Sequence, residues 1–202
     1  MILATIPVGH LETNCYILAE DSNSPAIIID PGSDAPKIKA FLEKNKLTPA
    51  LIINTHGHFD HIACDNEFDV PIYVHQLDIP LLTDPARNLS SLFLISYSVK
   101  GRVRPVDDKE KIELGNIVLE VIHTPGHTPG GISLRCGDML FSGDTLFLEG
   151  VGRTDLPGGS TEALVKSIRE KLFVLSDDVR VFPGHGPETT IGFEKRYNPF
   201  LK

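Results

Sequence analysis

The sequence predicts an α/β layered sandwich, in which sheets are covered by helices, and three observations carry that expectation. Short apolar segments rich in β-branched residues recur in both halves of the chain, each bounded by Pro, Gly, Asn or Asp. They run in groups instead of alternating strictly with helices. Two amphipathic helical patterns, one in each half, have an apolar face suited to cover a sheet.

In chain order, the first strands are Cys15-Tyr16-Ile17-Leu18, Ala26-Ile27-Ile28-Ile29, Leu51-Ile52-Ile53 and Ile72-Tyr73-Val74. Between the second and third, Asp34 is placed as an N-cap for a helix whose apolar face is Ile38, Phe41 and Leu42. In the second half, Ile117 to Ile122, Ile132-Ser133-Leu134 and Met139-Leu140-Phe141 read as strands. Ser160 then caps a helix with Leu164, Ile168, Leu172 and Leu175 on one face, and Val179 to Phe182 is the last strand. The weakly patterned stretch from Thr83 to Lys100 reads as a flexible or helical excursion near the site.

The 202 residues suit one compact domain, with 41% hydrophobic and 23% charged residues in the range of soluble globular chains. No apolar run approaches the roughly 20 residues of a membrane span, and Ile2 to Ile6 lacks the basic leader and length of a signal peptide. A cytoplasmic location with no membrane partner is expected. A net charge of -8 disfavours nonspecific nucleic-acid binding by phosphate attraction. Cys15, Cys64 and Cys136 are odd in number and widely spaced, which suggests neither a disulfide framework nor a thiolate zinc cluster.

The chemistry is concentrated in histidine. The loop Thr55-His56-Gly57-His58-Phe59-Asp60-His61 follows a predicted strand and offers four imidazole or carboxylate ligands within six residues, more than a solvated polar turn explains. Gly57 lets that backbone turn tightly. His127, Asp144 and His185 each follow a later predicted strand, with gaps of 69 residues from His58 to His127, 17 to Asp144 and 41 to His185. A site built from these residues must therefore be assembled by the fold. Seven ligands exceed the needs of one tetrahedral ion, whereas two ions sharing Asp144 would each have three further protein ligands. Two divalent ions are expected, zinc first, with iron or manganese as alternatives that the same donors accept.

The His-x-His-x-Asp-His loop, with His127, Asp144 and His185 following in order, resembles the metallo-β-lactamase superfamily over nearly the whole chain. The resemblance implies a four-layer αββα sandwich. It also implies His56, His58 and His127 on a first metal, Asp60, His61 and His185 on a second, and Asp144 bridging. Asp30, in Ile29-Asp30-Pro31-Gly32, would support the ligand loop by fixing a histidine tautomer; a plain turn residue is the alternative.

Within the superfamily, Asp144 departs from the lactamases, which disfavours antibiotic hydrolysis. The short gap to His185 leaves no room for the large insertion of the nucleic-acid-processing members. Gly150 to Ser160, Thr189-Thr190-Ile191-Gly192 and Asn198-Pro199-Phe200-Leu201 look like small single-domain relatives of glyoxalase II, the hydroxyacylglutathione hydrolases. Only 17 residues follow His185, so the helical glutathione-binding domain of glyoxalase II proper is expected to be missing from a single domain spanning residues 1–202. Arg153 is a candidate for holding a substrate carboxylate, or else forms an ion pair with a neighbouring Asp.

The implied function is a thioester hydrolase acting on a substrate such as S-D-lactoylglutathione. A hydroxide bridging the metals is the nucleophile, and Asp60 and Asp144 are the catalytic carboxylates. The alternative is a persulfide dioxygenase with one iron on His56 or His58, His127 and Asp144, and a metal-binding module without catalysis ranks last. Of the remaining residues, His10, His75 and His123 read as satisfied polar groups, with His75 a candidate for facing the cleft. Ser160 reads as an ordinary cap, and Lys195, Arg196 and Tyr197 as groups that could approach the site.

Overall fold

The computed structural model describes residues 1–202. The first half contains strands β1 (Ile2–Val8), β2 (Thr13–Ala19), β3 (Pro25–Ile29), β4 (Thr48–Ile53), β5 (Ile72–His75) and β6 (Val103–Val106), with helices α1 (Ala35–Lys44), α2 (Phe59–Ile62) and α3 (Ile79–Thr83). The second half contains β7 (Lys111–Leu114), β8 (Ile117–His123), β9 (Ile132–Cys136), β10 (Met139–Gly143), β11 (Leu146–Phe147) and β12 (Gly150–Val151). It closes with α4 (Thr161–Ser167), β13 (Arg180–Pro183), β14 (Thr189–Thr190) and α5 (Ile191–Tyr197). No helix is long and apolar enough to cross a membrane.

Strands β1 to β6 form one sheet in sequence order, and a second sheet runs β14-β13-β10-β9-β8-β7. The run Ile27-Ile28-Ile29 explains how the layers stack. Successive strand residues point to opposite faces. Ile27 and Ile29 therefore meet Leu119, Val121, Leu134 and Phe141 of the second sheet, while Ile28 packs outward with Ile38 and Leu42 of α1. All three isoleucines are fully buried, so the strand is apolar throughout instead of alternating. A third cluster, Leu140, Leu164, Ile168, Leu172, Val181 and Ile191, joins the outer face of the second sheet to α4, its one-turn continuation over Ile168–Leu172, and α5. The result is the helix-sheet-sheet-helix sandwich that the sequence predicts.

Strand direction decides where the loops gather. β3, β4, β5 and β6 are mutually parallel, so the segments after β3, β4 and β5 leave from one edge. In the other sheet β8 and β10 are both antiparallel to β9, and β10 is parallel to β13. Their C-terminal ends therefore also share an edge.

Several local expectations are corrected. Asp34 does precede α1, but its backbone is left-handed and its carboxylate accepts from Gly9 N at 2.9 Å instead of capping the helix. Ser160 caps α4 through Ala163 N, as expected. The stretch from Thr83 to Lys100 is mostly irregular, with one helical turn over Ser90–Phe93. Cys15 and Cys64 are buried, and Cys136 is half-buried. His75 does not face the cleft: it stacks on His123 across the sandwich, with centroids 3.9 Å apart and rings 8° from parallel.

Two predictions follow from this packing. Ile53→Ala, in the core between the sheets, lowers unfolding free energy by about 2–5 kcal/mol in urea titrations. Burial and then the neighbouring His123 charge hold His75 down to about 4 from an ordinary 6.5, so its contribution is complete above pH 6.5 and lost as pH falls toward 4. His75→Gln should flatten that part of the urea-midpoint profile between pH 4 and 7.

Candidate metal centre

The loop after β4 carries His56, His58, Asp60 and His61; the segments after β8, β10 and β13 carry His127, Asp144 and His185. The fold brings all seven together. Three overlapping groups have ligand atoms within 4.8 Å of one another: His56, His58 and His127; His56, His61 and Asp144; and Asp60, His61 and His185. His58 Nδ1 lies 2.9 Å from His127 Nε2, and His61 Nε2 lies 3.3 Å from His185 Nε2. Asp144 stands between the two triads. Its Oδ1 is 3.4 Å from His61 Nε2 and its Oδ2 is 3.5 Å from His127 Nε2.

The outer ring nitrogens are fixed by acceptors that leave the inner ones aimed at the centre. The Nδ1–H of His127 donates to the Arg153 carbonyl at 2.7 Å, and that of His185 to the Leu11 carbonyl at 2.9 Å. His61 Nδ1 faces Asp30 Oδ2 at 2.9 Å. Each pairing orients the ring and presents Nε2 inward. Asp30 also accepts from Thr55 N and Thr55 Oγ1, both at 2.7 Å, and so ties the start of the ligand loop to His61.

This donor set fits metal. The buried His56 Nε2 and Asp144 Oδ1 have no hydrogen-bond partner within the protein, which is costly for polar atoms unless a ligand satisfies them. Burial first, then neighbouring histidine charges, push the His56 imidazole down, and His58 falls to about 3. Both are neutral, with a lone pair to donate, at neutral pH. Burial acts against the charged form of His61 as well, but the Asp60, Asp144 and Asp30 charges outweigh it and raise this imidazole to about 10. His61 is thus a cation in the second triad, where a divalent ion would take the proton's place. Asp60 is held below the usual carboxylate range: burial opposes ionisation, but the charges of His61 and His185 and a hydrogen bond from His185 prevail.

Sequence reasoning missed Asp78. This fully buried residue, just before α3, accepts from Gly57 N at 2.9 Å and Thr128 Oγ1 at 2.7 Å through Oδ2, and from Gly130 N at 2.6 Å through Oδ1. One carboxylate therefore clamps the turn between His56 and His58 to the loop carrying His127. Its signal in the sequence is positional, because Asp78 follows a buried strand at the same sheet edge as Asp30. Gly184 is another constraint, since a Cβ there would lie 2.2 Å from Asp144 Oδ1.

Other candidates are placed differently. The Arg153 guanidinium pairs with both Asp155 oxygens at 2.8 Å, the ion-pair alternative, although the residue lines the cleft. Lys195 and Arg196 turn to Asp177, at 2.7 and 3.5 Å, and Tyr197 packs on Phe193; none of the three lines the cleft.

A four-layer sandwich with convergent His and Asp side chains on one edge fits a metal-binding enzyme fold. Residues 8–185 match the profile of the metallo-beta-lactamase superfamily, and the chain belongs to that superfamily. Hydroxyacylglutathione hydrolase GloC of Haemophilus influenzae is 36% identical, over all of this chain and 98% of its own. Among solved structures, BLEG-1 B3 metallo-beta-lactamase is 40% identical with a TM-score of 0.92, and TTHA1623 in a di-iron-bound form is 37% identical at 0.85, each covering both chains fully. ETHE1 from Myxococcus xanthus is 28% identical at 0.78, covering 98% of this chain and 84% of its own.

The two buried carboxylates are expected to serve different triads. Asp78→Asn should weaken metal binding at the His56, His58 and His127 group by about 10–100-fold, and Asp30→Asn at the Asp60, His61 and His185 group. Elemental analysis during stepwise chelation checks this: each variant should lose one ion at a lower chelator concentration than the wild type does.

Proposed function

We propose that the chain is a metal-dependent hydrolase that cleaves thioesters, with S-D-lactoylglutathione the first substrate to try. The observation that carries this reading is the position of Asp144 between the two histidine groups, with Oδ1 3.4 Å from His61 and Oδ2 3.5 Å from His127 and 3.7 Å from His185, beside an open cleft of about 560 Å³. Divalent ions bound there, whether zinc, iron or manganese, would supply Lewis acidity and lower the pKa of coordinated water to about 7.

The chain's own groups hold and orient. His56 and His58 offer neutral nitrogens, His127 presents Nε2 beside them, and Asp30 and Asp78 keep the loops in register. Asp60 Oδ2, 3.2 Å from both Thr13 Oγ1 and His185 Nε2, remains ionised at the cleft. In the overall reaction, the oxygen of water bonds to the thioester carbonyl carbon, the carbon–sulfur bond breaks, and a proton from water accompanies the departing thiolate. A carboxylic acid and a thiol result.

Likeness to GloC supports the thioester reading, and the di-iron form of TTHA1623 supports two ions. The ETHE1 likeness favours a second reading, a persulfide dioxygenase using His56 or His58, His127 and Asp144. β-Lactam hydrolysis, set aside in the sequence on the strength of Asp144, returns as a control because of the likeness to BLEG-1.

Metal-loaded protein should hydrolyse S-D-lactoylglutathione with saturation, and chelation or His58→Ala should abolish turnover. Asp144→Ala should lower kcat/KM by about 100-fold or more. Turnover no greater than that of His58→Ala, together with oxygen uptake on glutathione persulfide by iron-loaded protein, would replace the hydrolase with the dioxygenase.

A further inference from the structure

The cleft above the ligands has an apolar wall built from Leu11, Phe59, Leu92, Phe93, Phe147 and Leu156. That wall continues onto the surface: Leu92, Phe93, Leu94 and Ile95 are 71%, 51%, 97% and 44% exposed in succession. Four consecutive large apolar residues on a surface mark a binding region.

This segment is built, and it is tied to the ligand loop. Leu89 and Leu94 adopt left-handed backbone with φ of 70° and 60°, uncommon for branched side chains. The buried Asn88 supports the turn, accepting from Ser90 N at 3.0 Å and donating to Tyr97 O at 3.1 Å, while its carbonyl accepts from Phe59 N at 2.8 Å. Phe59, next to His58, packs on Phe93 with centroids 5.9 Å apart.

Polar recognition is sparse by comparison. Arg153 is the one Lys or Arg lining the cleft, and Asp155 already takes its guanidinium in a two-point pair. A glutathione arm brings two carboxylates and an ammonium, and each loses affinity if desolvated without a partner.

We propose that the site takes thioesters carrying an apolar arm of several carbons, which lies against Leu92, Phe93 and Leu11 while the thioester group sits over the candidate metal centre at the floor of the same cleft. The assignment rests on the hydrolase reading for its chemistry, but the apolar wall can be tested by binding alone.

Two substrate series separate the acyl side from the thiol side: acetyl to octanoyl thioesters of N-acetylcysteamine, and acetyl thioesters of alkanethiols of rising length. In one series kcat/KM should climb about two- to fourfold per methylene, and L92S/F93S should flatten the slope. Flat profiles in both series, with S-D-lactoylglutathione turned over faster than any member, would overturn the proposal and leave the hydrolase intact.

Calorimetry on metal-loaded protein with non-hydrolysable S-alkyl N-acetylcysteamine thioethers gives a readout without turnover. S-hexyl should bind about tenfold or more tightly than S-methyl, and L92S/F93S should erase most of that difference. Chain-length dependence in binding with no thioester hydrolysed would overturn the hydrolase and keep the apolar arm. Equal affinities, or a dimer in sedimentation that L92S/F93S converts to monomer without any chain-length dependence, would assign the wall to another occupant.

Discussion

The structure depends on bringing candidate ligand atoms from four separate chain segments to one point. His58 Nδ1 and His127 Nε2 stand 2.9 Å apart, with Asp144 reaching toward both triads. Asp30 and Asp78, both buried, hold those segments in place. Each accepts hydrogen bonds from separate points in the ligand-bearing segments, so that neither segment can move alone. Charge-assisted bonds to buried carboxylates are the strong kind. The sandwich supplies the anchorage, because β3 and β5, which carry these aspartates toward the edge, are flanked by strands on both sides.

The two halves of the centre differ electrically. Around His56 and His58 burial dominates and keeps the imidazoles neutral; around His61 three aspartates reverse the outcome and favour a proton. Cations would therefore meet neutral nitrogen donors in one triad and displace a proton in the other, so that metal loading of the second depends more steeply on pH. Asp144 belongs to both environments.

Much of this was legible in the sequence, for physical reasons that differ by residue. Ile27-Ile28-Ile29 announces a strand buried on both faces because only a sandwiched strand needs apolar residues throughout. The ligand loop is legible because histidine is scarce and its donors cluster. β6 and β7 escape notice because polar residues break up their four-residue runs, as in Val103-Arg104-Pro105-Val106, and β1, though apolar, is read in the sequence only for the leader features it lacks. Asp78 escapes because its role is to accept backbone N–H bonds from loops that are remote in sequence. The carbonyls of Leu11 and Arg153, which orient His185 and His127, carry no residue-type signal at all. Lys195 and Arg196, basic residues near the end of the chain, suggest an approach to the site until Asp177 is seen to take them.

Sharing of Asp144 by two ions, one on a three-histidine group and one on an Asp-His-His group, is the arrangement proposed above. It is tested most directly by metal stoichiometry on the unaltered chain, titrated separately with zinc, iron(II) and manganese(II) after exhaustive chelation. Saturation at two ions per chain is expected for at least one of these metals. Saturation at one ion per chain for all three would contradict it, and would leave a mononuclear site with unused ligands.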